Sequence, residues 1–212
     1  MTRLEILGIP QSTFVRTTRI ALEEKGVPYD LTIARPQSPE ILSVHPFGKV
    51  PAMRHGDFEL FESRAIIAYA DRVFDGPKLA PEDPRIAAAA EQWASAIAMS
   101  VFPNSFPYMR EFAFPSGPDG AFDTAVIAAH WPAARANIAI LDAALDGKPY
   151  LAGASFTLAD MYALPVLAYL SGFPQSGAMM RDSENLSGYM TRCTARPSFG
   201  ATVPPPMNQL RN

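Results

Sequence analysis

Ser12, the Val50–Pro51 pair and the Glu62–Ser63 pair are the residues of this chain best placed to do chemistry. Each falls where the pattern passes from a strand or loop into a helix, in the segments QSTFVRTTRIALEEKGVPYD, HPFGKVPAM and FELFESRAI. A hydroxyl, a proline turn and an acid–hydroxyl pair at such junctions combine polar groups with helix-start amides, which carry partial positive charge. A site assembled this way suits a small anionic peptide whose thiol must be ionised. A free cysteine thiol has a pKa of about 8.5, so only a few per cent is thiolate at neutral pH. A hydroxyl donating to the sulfur, helped by helix amides, favours the anion. Lowering the pKa by ~2 units takes ~2.7 kcal/mol of preferential stabilisation.

Other chemistries find little support. The chain has three scattered histidines (His45, His55, His130) and one cysteine, Cys193, which offer no metal-ligand spacing. GxGxxG, Walker, HExxH and GxSxG signatures are absent from the sequence. A formal net charge of −3 argues against nucleic acid or acidic lipid as the main partner. No apolar run approaches bilayer length, and MTRLEILGIP begins a strand at once rather than a signal segment. The lone cysteine rules out an intrachain disulfide and fits a reducing, cytoplasmic setting. With 212 residues, 48% hydrophobic and 18% charged, the chain has ample core for one large or two small domains.

The elements that must position these residues alternate at first. Leu4 to Leu7 reads as a strand ended by Gly8 and Pro10, and Thr13 to Lys25 as a helix stopped by Gly26, with Val15, Thr18 and Leu22 on one face. Tyr29 to Ala34 is a second strand, parallel to the first through a right-handed crossover. Ser38 to Val44 predicts a short irregular helix. Ala52–Arg54 and Phe58–Phe61 alternate about His55-Gly56-Asp57 as a hairpin. Ser63 is expected to cap a helix reaching about Phe74. Strand signals then vanish. Asp83 and Pro84 open an alanine-rich helix to about Met99. Phe102 to Gly120, rich in proline and aromatics, reads as irregular. Phe122 to Leu145 is helical, with a kink expected at Pro132. Thr157 opens a very apolar helix, where Thr157 and Asp160 form a capping box and Phe156 can staple onto Met161. Asp160 is expected to be buried and important for stability.

Read in this order, HPFGKVPAM, LFESRAIIAYA, LAPEDPRIAAAAEQW, YLAGASFTLADMYALPVLAYL and YMTRCTARPS resemble the cytosolic glutathione S-transferase family over nearly the whole chain. The resemblance is to serine-type members of bacterial, theta or phi character. It implies a thioredoxin-like α/β domain at 1–78, binding glutathione, and an all-α helical domain at 85–212 that contributes the electrophile site. It implies glutathione as co-substrate with no metal, a homodimer, and a role in detoxification.

The site residues follow from that resemblance. It implies a cis Val50–Pro51 bond, freeing the Val50 backbone to pair with the cysteinyl part of the tripeptide. Read from the proline alone, an ordinary trans bond at a strand start stays open. Ser63 would hold the γ-glutamyl carboxylate, Glu62 would orient the amino end, and Lys49 would neutralise the glycyl carboxylate. His45 stands where many relatives carry Asn, so a turn-forming role and a ligand contact are both open. Ser12 would activate the sulfur, since the first tyrosine is Tyr29 and the only cysteine is Cys193. Thr13, one residue on, competes for the task. Phe47 would anchor the partner subunit, or else pack on its own domain. A small apolar electrophile would meet Phe14 of the first domain and Phe102, Phe106, Met109 and Arg110 of the second. The alternative is a non-catalytic ligand-binding or scaffold protein that keeps the fold.

Overall fold

The computed structural model describes residues 3–206 and divides into two compact units. The first takes in residues 3–80 together with 195–206, and the second residues 81–194. The boundary read from sequence placed everything after 85 in the helical domain. The structure instead returns the stretch beyond Thr194 to the first unit. The outermost residues of both sequence-drawn domains lie outside the described residues.

In the first unit, β1 (Leu4–Gly8), α1 (Thr13–Lys25), β2 (Tyr29–Ile33), α2 (Pro39–Leu42), β3 (Ala52–His55), β4 (Phe58–Phe61) and α3 (Ser63–Val73) follow in order. The sheet runs β2-β1-β3-β4; β1 and β2 are parallel, while β3 is antiparallel to both β1 and β4. One face packs Leu4, Ile6, Val15, Leu22, Val27, Met53, Ile66 and Ala70 into a buried core. Gly26 stops α1 with φ +74, a left-handed conformation that glycine adopts without a Cβ penalty. At the end of the unit, Lys25 is fully buried and its ammonium meets Asp71 Oδ1 at 3.0 Å. Asp71 also accepts from the amides of Leu79 (3.0 Å) and Ala80 (3.4 Å), so one carboxylate ties α1, α3 and the segment that leaves them.

The C-terminal segment of this unit carries α10 (Pro197–Ala201), which lies on α1. Arg196 grips Glu24 with two bonds of 2.8 and 2.6 Å, and the Arg16 guanidinium lies 4.3 Å over the Phe199 ring. Two-point Arg–carboxylate geometry is stronger and more specific than a single surface ion pair.

The second unit is helical: α4 (Pro84–Ala96), α5 (Phe102–Ala113), α6 (Thr124–Ala144), α7 (Leu158–Ser171), α8 (Pro174–Asp182) and α9 (Glu184–Thr194). Asp83 caps α4 as expected, accepting from the amides of Arg85 (2.7 Å) and Ile86 (3.3 Å). The stretch expected to be irregular is instead helix from Phe102 to Ala113. It continues from α4 through one wide π turn over Ile97–Val101, in which the Phe102 amide bonds the Ile97 carbonyl. That turn stands directly before Pro103, whose ring would crowd the Met99 carbonyl in an α turn; widening relieves the clash. Buried Asn137 of α6 donates to the Val101 carbonyl (3.2 Å) and to Ser105 Oγ (3.0 Å), satisfying groups at this junction. α6 runs through Pro132. Helices α8 and α9 were not anticipated, although Pro174 at the head of α8 is a helix-start signal.

Beyond α5 the chain is held by Glu111, whose carboxylate accepts from the Ser116 amide (2.9 Å), the Ser116 hydroxyl (2.7 Å) and the Asp123 amide (2.7 Å). The amides of Asp123 and Ser116 hold its pKa below the usual 4.5. A depressed carboxylate stabilises the fold above its unfolded pKa and loses that contribution as pH falls through its folded pKa. Between neutral pH and that lower value, Glu111→Gln should therefore unfold at lower temperature than the wild type. Below it the two melting curves should converge, which thermal scans across an acid series will measure.

Candidate active site

The register of the sheet gathers the three sequence segments. Leu7 of β1 pairs with Ala52 of β3, and Ala52 pairs with Phe61 of β4. The end of β1 leading to Ser12, the Val50–Pro51 loop entering β3, and the exit of β4 into Glu62 therefore share one end of the sheet. Gly8 makes the approach close: a Cβ there would lie 2.5 Å from Val15 Cγ2 and 3.3 Å from Val50 Cβ.

Ser12 is the N-cap of α1, with extended backbone (φ −67, ψ 128) and its Oγ accepting from the Val15 amide at 3.4 Å. That bond is long, and the hydroxyl still has its own proton to donate. Ser12 is half-buried, whereas Thr13 is buried as the first residue of the helix. Phe14 follows on the same turn, partly exposed.

The Val50–Pro51 peptide is cis. Among the described residues, the Val50 amide and carbonyl enter neither the sheet ladder nor a turn hydrogen bond. Lys49, exposed, precedes it. The loop is shaped by Gly48 at φ +64 and Gln37 at φ +66, joined by the Gln37 amide to the Gly48 carbonyl at 2.9 Å. Phe47 projects from the loop, 67% exposed.

Ser63 was expected to be the N-cap of α3, but the cap is Glu62, and Ser63 is the first helical residue, buried. The register shifts because Glu62 adopts φ +73, ψ 120, a conformation rare for a residue with a Cβ. Such strained positions cost roughly 1–3 kcal/mol and cluster at functional sites. No sequence signal at Glu62 announces it. The Glu62 side chain is 60% exposed, at the start of a helix whose free amides attract carboxylates.

His45 is buried behind these groups. Its ring lies 4.6 Å from that of Phe61, its Nδ1 accepts from the Phe47 amide at 3.3 Å, and its Nε2 is 3.9 Å from Glu62 Oε1. Burial lowers its pKa; the Glu62 carboxylate pulls upward and Lys49 adds to the lowering.

The geometry and chain order match a known family. Residues 7–78 match the model of the glutathione S-transferase N-terminal domain, and residues 97–197 that of the C-terminal domain. Glutathione S-transferase 3 of Zea mays is 33% identical over 97% of this chain and 98% of its own length. The chain belongs to the glutathione S-transferase family. A glutathione S-transferase of Silene vulgaris is 30% identical over 94% of this chain and 96% of its own. Among solved structures, poplar glutathione transferase F1 superposes with a TM-score of 0.84 at 30% identity, covering 95% and 97% of the two chains. In this glutathione S-transferase fold, the first unit is the thioredoxin-like one and the second the helical one. The chain is thus a transferase, as its relatives are.

In the helical unit the rings of Phe102 and Phe106 pair at 5.2 Å, and Phe106 is 42% exposed. Met109 is buried and Arg110 exposed. Among the described residues, no helix is long and apolar enough to cross a membrane.

Proposed function

We propose that this transferase binds reduced glutathione at the shared end of its sheet and turns the sulfur, as thiolate, on a small apolar electrophile. The observation that carries the reading is the juxtaposition of a half-buried capping hydroxyl, a cis-proline loop with an unengaged Val50 backbone, and a strained acid opening α3. Ser12 donates to the sulfur. The burial of Thr13 supports that assignment. The Val50 amide and carbonyl pair with the cysteinyl unit as a one-residue strand addition. Ser63 and the first amides of α3 take the γ-glutamyl carboxylate, Glu62 its ammonium, and Lys49 the glycyl carboxylate. Glutathione-bound relatives of similar fold support the ligand, among them a transferase of Methylobacillus flagellatus at 26% identity and TM-score 0.79.

Phe102 and Phe106 give the helical unit an apolar surface suited to the electrophile. Arg110, exposed on the same helix, is suited to meet a polar substituent. The enzyme works as a cytoplasmic homodimer anchored by the exposed Phe47.

The test is a panel of electrophiles assayed with glutathione, beside binding measurements on Ser63→Ala. Removing the hydroxyl from the carboxylate subsite should weaken glutathione roughly tenfold, a loss of about 1.5 kcal/mol for a charge-assisted bond. Unaltered affinity would remove Ser63 from the site. Tight binding with no turnover across the panel would instead favour a glutathione-binding protein that does no chemistry.

A further inference from the structure

Glu62 occupies an unfavourable backbone conformation with an exposed side chain, so something must hold it where a ligand's ammonium can find it. The His45 ring is the buried group beside it. Its main chain shapes the turn, with the His45 amide bonded to the Ile41 carbonyl at 2.7 Å and its carbonyl accepting from Gly48 at 2.8 Å. Its side chain spans the gap between that turn and α3. Because Nδ1 accepts the Phe47 amide, the neutral ring must carry its proton on Nε2, the nitrogen facing Glu62.

We infer that His45 is a positioning residue, whose uncharged ring holds the Phe47–Pro51 loop through the Phe47 amide, presents Nε2–H toward Glu62 and makes glutathione affinity depend on that ring staying neutral. The inference rests on the glutathione reading above. A second proton on the ring has two consequences. At Nδ1 it places two donors face to face, so the Phe47 amide loses its acceptor and the loop carrying Lys49 and Val50 loosens. It also gives the ring a delocalised positive charge whose Nε2 edge lies 3.9 Å from Glu62, where it offsets the acid's charge and repels the ligand's ammonium. The charged groups acting on the ring are Glu62, from the start of α3, and Lys49, from the loop before β3. The rings packed against it, Phe61 of β4 and Phe47 of the loop, carry no charge. Burial keeps the ring neutral at neutral pH, and acidification reverses this.

The experiment uses S-methylglutathione, which has no ionisable thiol and whose carboxylates and ammonium keep their charges between about pH 5 and 7. Calorimetric titration of the wild type should show affinity falling about fivefold as the pH drops across that range, the scale of one exposed charge interaction. His45→Asn, which offers Phe47 an amide oxygen but no titrating ring, should bind with little pH dependence. Imidazole nitrogen NMR of the wild type provides a readout that does not depend on a variant folding. It should show the Nε2–H tautomer at pH 7.5, with ring protonation tracking the affinity loss. Flat wild-type binding, a pH dependence retained in His45→Asn, or an Nδ1–H tautomer would each overturn the role of His45 alone. Absence of wild-type binding at every pH would overturn the glutathione reading together with it.

Discussion

Ser12→Ala should lose about a hundredfold in turnover with glutathione while retaining most of its affinity for the tripeptide. Removing one preorganised donor from a developing or resting anion typically costs on that order. The same substitution should raise the pKa of the bound thiol by about 2 units, back toward the free value near 8.5, which a thiolate absorbance titration reads directly. Fold loss would not explain the result. The Ser12 cap bond is long at 3.4 Å, so its removal should cost no more than about 1 kcal/mol of stability. Thr13→Val is the companion variant: Thr13 is buried, and its replacement should leave the thiol titration where it was. Unchanged turnover in Ser12→Ala, or a pKa rise in Thr13→Val instead, would move the chemistry one residue along the helix.

The largest stability effect is expected in the helical unit, at Asp160. Its carboxylate is fully buried and accepts from the Leu151 amide (3.0 Å), the Thr157 amide (2.8 Å) and the Thr157 hydroxyl (3.2 Å). Burial pushes its pKa up, while the amides of Leu151 and Thr157 pull it down. Asp160→Ala strands three buried donors, each worth about 1–3 kcal/mol when unsatisfied, and should destabilise the protein by about 3–5 kcal/mol. Asp160→Asn should recover only part of this, because its NH2 would face a donor where the second oxygen now accepts. Chemical denaturation of the three proteins gives the comparison; a loss below about 1 kcal/mol in the alanine variant would show that the unit relaxes around the cavity. The box joins the turn before α7 to the helix itself, so its failure loosens the start of the most apolar helix in the chain.

Local signals in the chain were enough for much of the site. The helix start at Thr13, the stop at Gly26, the hairpin about Gly56 and the capping box at Thr157 are each written in residues that choose their own backbone, and all appear where expected. The cis bond at Pro51 followed from the resemblance, where proline statistics alone favour trans. Local rules failed at the prolines of α5, because tertiary packing from Asn137 and a single wide turn accommodate what an isolated helix would reject. They failed again at Ser63, displaced from the cap by a strained Glu62 that no propensity scale anticipates.

The class of elements, the family and the chemical types at the site were legible in the chain, because those depend on periodicity, caps and residue identity over a few neighbouring positions. Which residues meet depends on the folded sheet. The β1–β3–β4 register brings Ser12, Pro51 and Glu62 to one end of the sheet, burial separates Ser12 from Thr13, and the His45 ring comes within 3.9 Å of Glu62. Positions 45 and 62 lie 17 residues apart on different elements. Their contact exists only because the sheet folds the chain back on itself, an arrangement that no local pattern encodes.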